Sequence, residues 1–303
     1  MHSIKVPATI ANIGPGFDTF GLALSLFIHV SMSLTSAKNQ IHFSGEGRDL
    51  LQDKPQGNYV LAGAQRVFAK AGVKHTSLRI EIHNDIPVGK GLGSSAAAII
   101  AGMFLANALL GYRFSRSQLI WWAVEMEGHA DNILPAVWGG FTTALQLGSE
   151  VLHQSVTFPG EISIVVVVPD FSLDTQKTRQ LIPEYTSTKN CIANLQRASF
   201  LLASIFNKDF AQISMAMDDA LFQKTRQEMI PGFYHVAGEA RAAGALGVVL
   251  SGGGPSVAAF TLEKENAIGE SMQKAFLKAG VKNRIYYLKP HQEEIEWQQM
   301  GSE

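Results

Sequence analysis

The run Pro87-Val88-Gly89-Lys90-Gly91-Leu92-Gly93-Ser94-Ser95-Ala96-Ala97-Ala98 places three glycines in five positions and follows them with two hydroxyls. Glycine lets a backbone approach a guest closely, and the free N–H groups and dipole of a helix start favour negative charge. Such a construction suits phosphate. The P-loop pattern Gly-x-x-x-x-Gly-Lys-Ser/Thr fails here, because Asn84 occupies the first glycine position and Gly91 follows Lys90. The dinucleotide pattern Gly-x-Gly-x-x-Ala fits Gly91, Gly93 and Ala96, but that fold needs an acidic ribose ligand about 20 positions further on. No Asp or Glu occurs between Asp85 and Glu125. The plain alternative is a glycine turn that only joins strand to helix.

Other stretches carry polar chemistry. Glu125-Met126-Glu127-Gly128-His129-Ala130-Asp131-Asn132 is the densest polar cluster in an apolar neighbourhood, with Trp121 and Trp122 before it and Ile133, Leu134 and Trp138 after. Carboxylates in such surroundings need a partner, since burying an unpaired charge is costly; otherwise they are solvated at a helix end. No second metal ligand lies at a suitable spacing from His129, so a structural histidine is expected. Ala11-Asn12-Ile13-Gly14-Pro15-Gly16-Phe17-Asp18 reads as a strand and a turn, in which Asn12 and Asp18 offer an acceptor and a carboxylate to a polar substrate. Ser251-Gly252-Gly253-Gly254-Pro255-Ser256 lies between apolar runs, as a hairpin tip does. Arg179 and Arg226, taken alone, read as solvated helix charges.

The elements around these residues follow from periodicity. Ser77 to His83 alternates, with Leu78, Ile80 and Ile82 on one face, and predicts a strand into the glycine loop; Ala96 to Leu110 is rich in helix formers and predicts a helix out of it. Strands are expected over Met1 to Ile13 and around Gly140 to Leu147, and helices over Tyr59 to Ala71 and Ser117 to Glu127. Glu161 to Val168 is a continuous β-branched run, the mark of a buried strand. Helices over Thr188 to Phe206, Asp209 to Met229 and Phe233 to Ala243 follow. Strands at Gly247 to Leu250 and Ser256 to Thr261, a helix at Lys264 to Ala279 and a strand at Arg284 to Leu288 complete an order compatible with a ferredoxin-like split βαβ layer.

Composition bounds the rest. At 303 residues the chain suits one large or two ordinary domains. Lys+Arg 25 against Asp+Glu 26 gives no field for nucleic acid or an acidic membrane. One cysteine, Cys191, excludes an internal disulfide framework and is compatible with a reducing cytosol. Ala96 to Leu110, the longest apolar stretch, is too short to span a bilayer, and the N-terminus lacks a signal-peptide core. A soluble cytoplasmic protein is expected.

The pattern Pro-x-Gly-x-Gly-Leu-Gly-Ser-Ser-Ala resembles the nucleotide loop of the GHMP small-molecule kinases, where backbone amides wrap the ATP phosphates. The Asn12–Asp18 loop and Glu-Gly-His-x-Asp-Asn-x-x-Pro-Ala-x-x-Gly-Gly, over Glu127 to Gly140, resemble the homoserine kinase branch of that family. The resemblance runs from Ile4 to about Leu288. It implies an α+β fold of two domains: a nucleotide-binding α/β domain over 1–155 and a ferredoxin-like α+β domain over 156–303. It implies ATP and Mg²⁺, with Pro87 to Ala97 at the nucleotide and Ser95 at the metal. Magnesium prefers a few hard oxygens plus phosphates and water, so an acidic side chain opposite Ser95 is needed; Glu127 is the first choice and Glu125 the fallback. Asp131 and Asn132 would then face the attacking hydroxyl, Asp131 either as general base or as an orienting acceptor. Arg179 and Arg226 match arginines that hold the amino-acid carboxylate in homoserine kinases, and a planar guanidinium suits that task. Gly253 departs from the family's usual serine or alanine. The implied activity is ATP-dependent phosphorylation of L-homoserine in threonine biosynthesis, and a homodimer is allowed. The alternatives are a GHMP kinase for a sugar, shikimate or an isoprenoid alcohol, and a non-catalytic nucleotide-binding protein.

Overall fold

The computed structural model describes residues 1–51, 58–73, 76–173 and 175–296. The first part of the chain supplies β1 (His2–Asn12), β2 (Gly16–Leu34), β3 (Gln40–Gly45), α1 (Arg48–Leu51), α2 (Tyr59–Lys70), β4 (Leu78–Asn84), α3 (Ser94–Leu109), α4 (Arg116–Glu127), α5 (Ile133–Trp138), β5 (Phe141–Leu147) and β6 (Glu150–Val156). Its sheet runs β3-β4-β2-β5-β6, with β1 also paired to β2; β3 and β4 are parallel, and the other pairs are antiparallel. The long β2 serves both wings, pairing β4 through Ile28 to Leu34 and β5 through Phe20 to Leu22. α3 is apolar all round and buried along most of its length, the pattern of a helix enclosed on every side.

The second part supplies β7 (Ser163–Pro169), α6 (Thr175–Gln180), α7 (Thr188–Asn207), α8 (Ile213–Ala216), α9 (Gln223–Gln227), α10 (Phe233–Ala242), β8 (Gly247–Leu250), β9 (Val257–Thr261), α11 (Glu265–Lys278) and β10 (Asn283–Leu288). These strands form one antiparallel sheet in the order β10-β7-β9-β8. β7 is buried on both faces, as its β-branched run predicts. α10 and α11 pack with one face of this sheet in a separate apolar cluster that includes Val165, Val167, Phe233 and Phe276. That order of strands and crossovers is the split βαβ arrangement. Among the described residues, no helix is long and apolar enough to cross a membrane.

One expectation needs correction. The segment Asp209 to Met229 is not one helix but two short ones, α8 and α9. The buried Asp219 carboxylate accepts from the backbone N–H groups of Leu221, Phe222 and Gln223, and Asn194 accepts from Ala220 N. Such side-chain bonds compete with the helical ladder and break it. β6 is not among the expected strands: its half-exposed sequence lacks an apolar face, and it pairs with β5 as a hairpin.

Candidate active site

A cleft of about 270 Å³ opens where the loop after β1, the glycine loop, the segment after α4 and two stretches of the second part meet. The glycine loop is held by close backbone approach. Gly91 has φ 79° and Gly93 φ 68°; a Cβ at Gly91 would overlap the Ser251 carbonyl, and one at Gly93 would overlap the Thr9 hydroxyl. Ser251 Oγ donates to Gly91 O at 2.6 Å, and Ser256 N donates to Lys90 O at 3.3 Å. The hairpin tip after β8 therefore buttresses the glycine loop. α3 starts at Ser94 with no side-chain cap and no acidic residue in its first turn, which leaves its N–H groups and dipole open to an anion. Lys90 does not reach over that helix start: its Nζ donates to Asp170 O and Phe171 O, at 2.8 and 2.7 Å.

Ser95, in the first turn of α3, donates to Glu127 Oε1 at 2.7 Å. Glu127 ends α4, where Gly128 takes the left-handed conformation. Burial pushes the Glu127 carboxyl above its ordinary value, against the opposing pull of His129 and the Ser95 hydroxyl. Among the described residues, its nearest cationic group is His129 Nε2 at 4.0 Å. A buried carboxylate beside a hydroxyl, with no Lys or Arg of its own, fits one side of a magnesium shell whose remaining ligands are phosphate and water. No cluster of three or more His, Cys, Asp or Glu able to hold a metal occurs among the described residues. Glu125 lies on the outer side of α4 and pairs with Arg66 at 2.8 Å.

Asp131 Oδ1 lies 2.5 Å from His129 Nδ1. Burial disfavours the His129 imidazolium, but the hydrogen bond and charge of Asp131, joined by Glu127, outweigh it and raise the ring above its ordinary value. Asn132 Oδ1 accepts from Thr9 Oγ1 at 2.7 Å, a bond buried beneath the glycine loop.

The opposite wall carries the two arginines. Arg179 donates to both carboxylate oxygens of Asp18, at 2.6 and 2.8 Å, and this partner raises its pKa. Arg226 is 3 % exposed. Among the described residues it makes no ion pair within 4.0 Å; its Nε donates to Thr178 O at 3.4 Å. Burial, with the charge of Arg179, lowers its pKa. Arg226 is thus not a solvated helix charge. Asn12 lines the cleft, and both ends of its amide are engaged: Oδ1 accepts from Asp18 N and Nδ2 donates to Gly252 O, each at 3.1 Å. These bonds brace the loop that presents Asp18 and leave the Asn12 amide one further donor and one further acceptor site.

Sequence reasoning passed over Thr9, Phe17 and Asn58. Asn58 caps α2, accepting from Val60 N and Leu61 N, while its buried Nδ2 has no partner among the described residues. An Asn before a helix signals a cap and nothing more. His129, expected as a structural histidine, bonds the carboxylate two residues on.

Comparison with known proteins agrees with this architecture. The family model for the GHMP kinases N-terminal domain matches residues 58–140, and the model for the GHMP kinases C-terminal domain matches 201–278. The homoserine kinase of Carboxydothermus hydrogenoformans is 37% identical over 292 residues, covering 96% of this chain and 95% of that protein. The homoserine kinase of Moorella thermoacetica is 38% identical over 290 residues, covering 96% and 97%. The crystal structure of homoserine kinase from Cytophaga hutchinsonii superposes with a TM-score of 0.85 at 29% identity, covering 98% and 97%. An L. major mevalonate kinase, at 14% identity and a TM-score of 0.75, shares the fold. Family models on both parts, together with end-to-end identity above a third, establish that the chain belongs to the homoserine kinases of the GHMP kinase family.

Proposed function

We propose that this protein transfers the γ-phosphoryl group of ATP to the side-chain hydroxyl of L-homoserine, releasing O-phospho-L-homoserine and ADP in threonine biosynthesis. The observation that carries the substrate is the buried Arg226, lacking a carboxylate of its own, beside the Asp18–Arg179 pair. A buried unpaired charge is costly, and an α-amino acid zwitterion supplies what this wall lacks. Its carboxylate meets Arg226 and Arg179, and its ammonium meets Asp18. A sugar or an isoprenoid alcohol offers no such match.

The rest of the cleft fits Mg·ATP. The open N-terminus of α3 and the amides of Gly89 to Gly93 receive phosphates, and Glu127 and Ser95 would hold Mg²⁺, which supplies charge neutralisation on the phosphates when bound. Ile28, Phe43, Val60 and Ala98 line the apolar end of the cleft, and the free Nδ2 of Asn58 is placed there to donate to a flat heteroaromatic base. Phosphoryl transfer asks chiefly for positioning and charge compensation. The homoserine oxygen bonds to the γ-phosphorus as the bond to the β,γ-bridging oxygen breaks, and the hydroxyl proton passes to a phosphate oxygen. Asp131 then orients the hydroxyl, since one of its oxygens is already engaged by His129, and Asn132 presents its amide beside it. Mg²⁺ dependence, a cytoplasmic location and a homodimer belong to the same proposal.

A coupled ADP-release assay tests it with homoserine, mevalonate, galactose and shikimate as acceptors. Release with L-homoserine, dependent on Mg²⁺ and absent with the other three, is expected. Release with one of those alcohols and none with homoserine overturns the substrate while sparing the fold.

A further inference from the structure

Phe17 sets its ring against both arginines of the cleft, and its backbone carbonyl accepts from Thr19 Oγ1 at 3.1 Å. Its ring stacks on Phe222, with centroids 4.1 Å apart and an interplanar angle of 20°. The guanidinium carbons of both Arg226 and Arg179 lie over the same ring, at 4.8 and 5.2 Å from its centroid. The backbone fixes each partner. Phe17 is followed, at the start of β2, by Asp18 at φ 54°, and across the preceding turn Asn12 and Ile13 also have positive φ, a conformation that a β-branched residue such as Ile13 holds only when its surroundings impose it. Phe222 is the residue from which α9 starts, and Arg226 lies four residues on, within that helix.

Two like charges confined in a half-buried wall repel, and burial adds to the cost. The Asp18 carboxylate already compensates Arg179; a second carboxylate on Arg226 would occupy the N–H groups a ligand carboxylate needs. An aromatic face attracts a cation through its quadrupole without accepting those hydrogen bonds. Arg226, with only its Nε engaged, illustrates the result: charge partly compensated, donors free.

We infer that Phe17 is a positioning residue of the carboxylate clamp, its ring holding the Arg226 guanidinium beside the Asp18-paired Arg179, charged and with its terminal donors open, for the substrate carboxylate. The inference rests on the proposed use of L-homoserine. Phe222 fixes the plane of the ring, and the left-handed Asp18 sets its distance from Arg179.

Graded fluorination tests this in the full-length protein. Incorporating 4-fluoro-, 3,5-difluoro- and 3,4,5-trifluorophenylalanine at position 17 weakens the ring quadrupole stepwise at nearly constant volume. The KM for L-homoserine should rise with each step, reaching about tenfold for the trifluoro ring, while kcat and the KM for ATP stay within about twofold. Phe17→Leu should raise the homoserine KM by at least as much, and thermal melts should show all four proteins folded. A flat fluorination series in a protein that does use homoserine, even with a deficient Phe17→Leu, overturns the inference, because the ring is then only filling space. A parent chain that does not use L-homoserine overturns the functional reading, and this inference with it.

Discussion

Glu125 and Glu127 are two residues apart, yet α4 turns them to different surroundings. One pairs with Arg66 at the surface; the other is buried against Ser95. Glu127→Gln keeps the size and removes the charge, so kcat should fall and the Mg²⁺ concentration for half-maximal rate should rise. Glu125→Gln loses only an exposed pair worth about 0–1 kcal/mol, and its Mg²⁺ titration should match the parent. The reverse pattern would move the metal ligand to Glu125. His129 lends itself to a test of stability. Its folded pKa is raised, so its contribution is full below the ordinary value of 6.5 and is lost as pH rises through the folded value. Without nucleotide, Tm should therefore decline as pH climbs above neutral, and His129→Asn should flatten that decline. An unchanged slope in the variant would show that the Asp131 contact contributes nothing to stability.

At the scale of elements, the glycine loop depends on a hairpin far away in the chain. The tip between β8 and β9 is pressed against Gly91 so closely that a side chain there has no room. The fully buried Ser251 bonds its carbonyl. Ser251→Ala leaves that carbonyl short of a donor, at a cost of about 1–3 kcal/mol. The loop is expected to loosen, raising the KM for ATP severalfold in initial-rate assays without moving the KM for homoserine. A shift confined to homoserine would mean that the hairpin serves the acceptor side instead.

Across the whole molecule, the cleft draws its two walls from the two parts of the chain, so their docking is part of the site. Arg284 on β10 pairs with Glu46 beyond β3, and Lys90 reaches the end of β7. We place the domain division after residue 155, one residue short of the end of β6, but the chain beyond β10 then returns to the first part. His291 N donates to Ala23 O, Gly140 N to His291 O, and Ile295 N to Val137 O; Ile295 itself is 3 % exposed. Ile295→Ala should cost about 2–4 kcal/mol in a urea melt, the range for truncating a buried aliphatic side chain. A loss under about 0.5 kcal/mol would show that the returning segment is held by its backbone alone.

Much of the fold and of the phosphate end of the site was legible in the residues, because both rest on local backbone chemistry. Three glycines before a run of strong helix formers specify a turn and a helix start wherever they occur, and alternation specified β4 for the same reason. The helix expected over Asp209 to Met229 failed at a residue whose partner is remote: Asn194 and Asp219 are 25 positions apart. The acceptor end of the site was decided in the same way. Arg179 meets Asp18 across 161 residues. Whether a charge is solvated or buried, paired or left open, depends on what the fold brings beside it. Composition and spacing named the charged groups; only packing decided that Arg226 is buried with no carboxylate within 4.0 Å among the described residues and that Glu125 faces Arg66 while Glu127 meets Ser95.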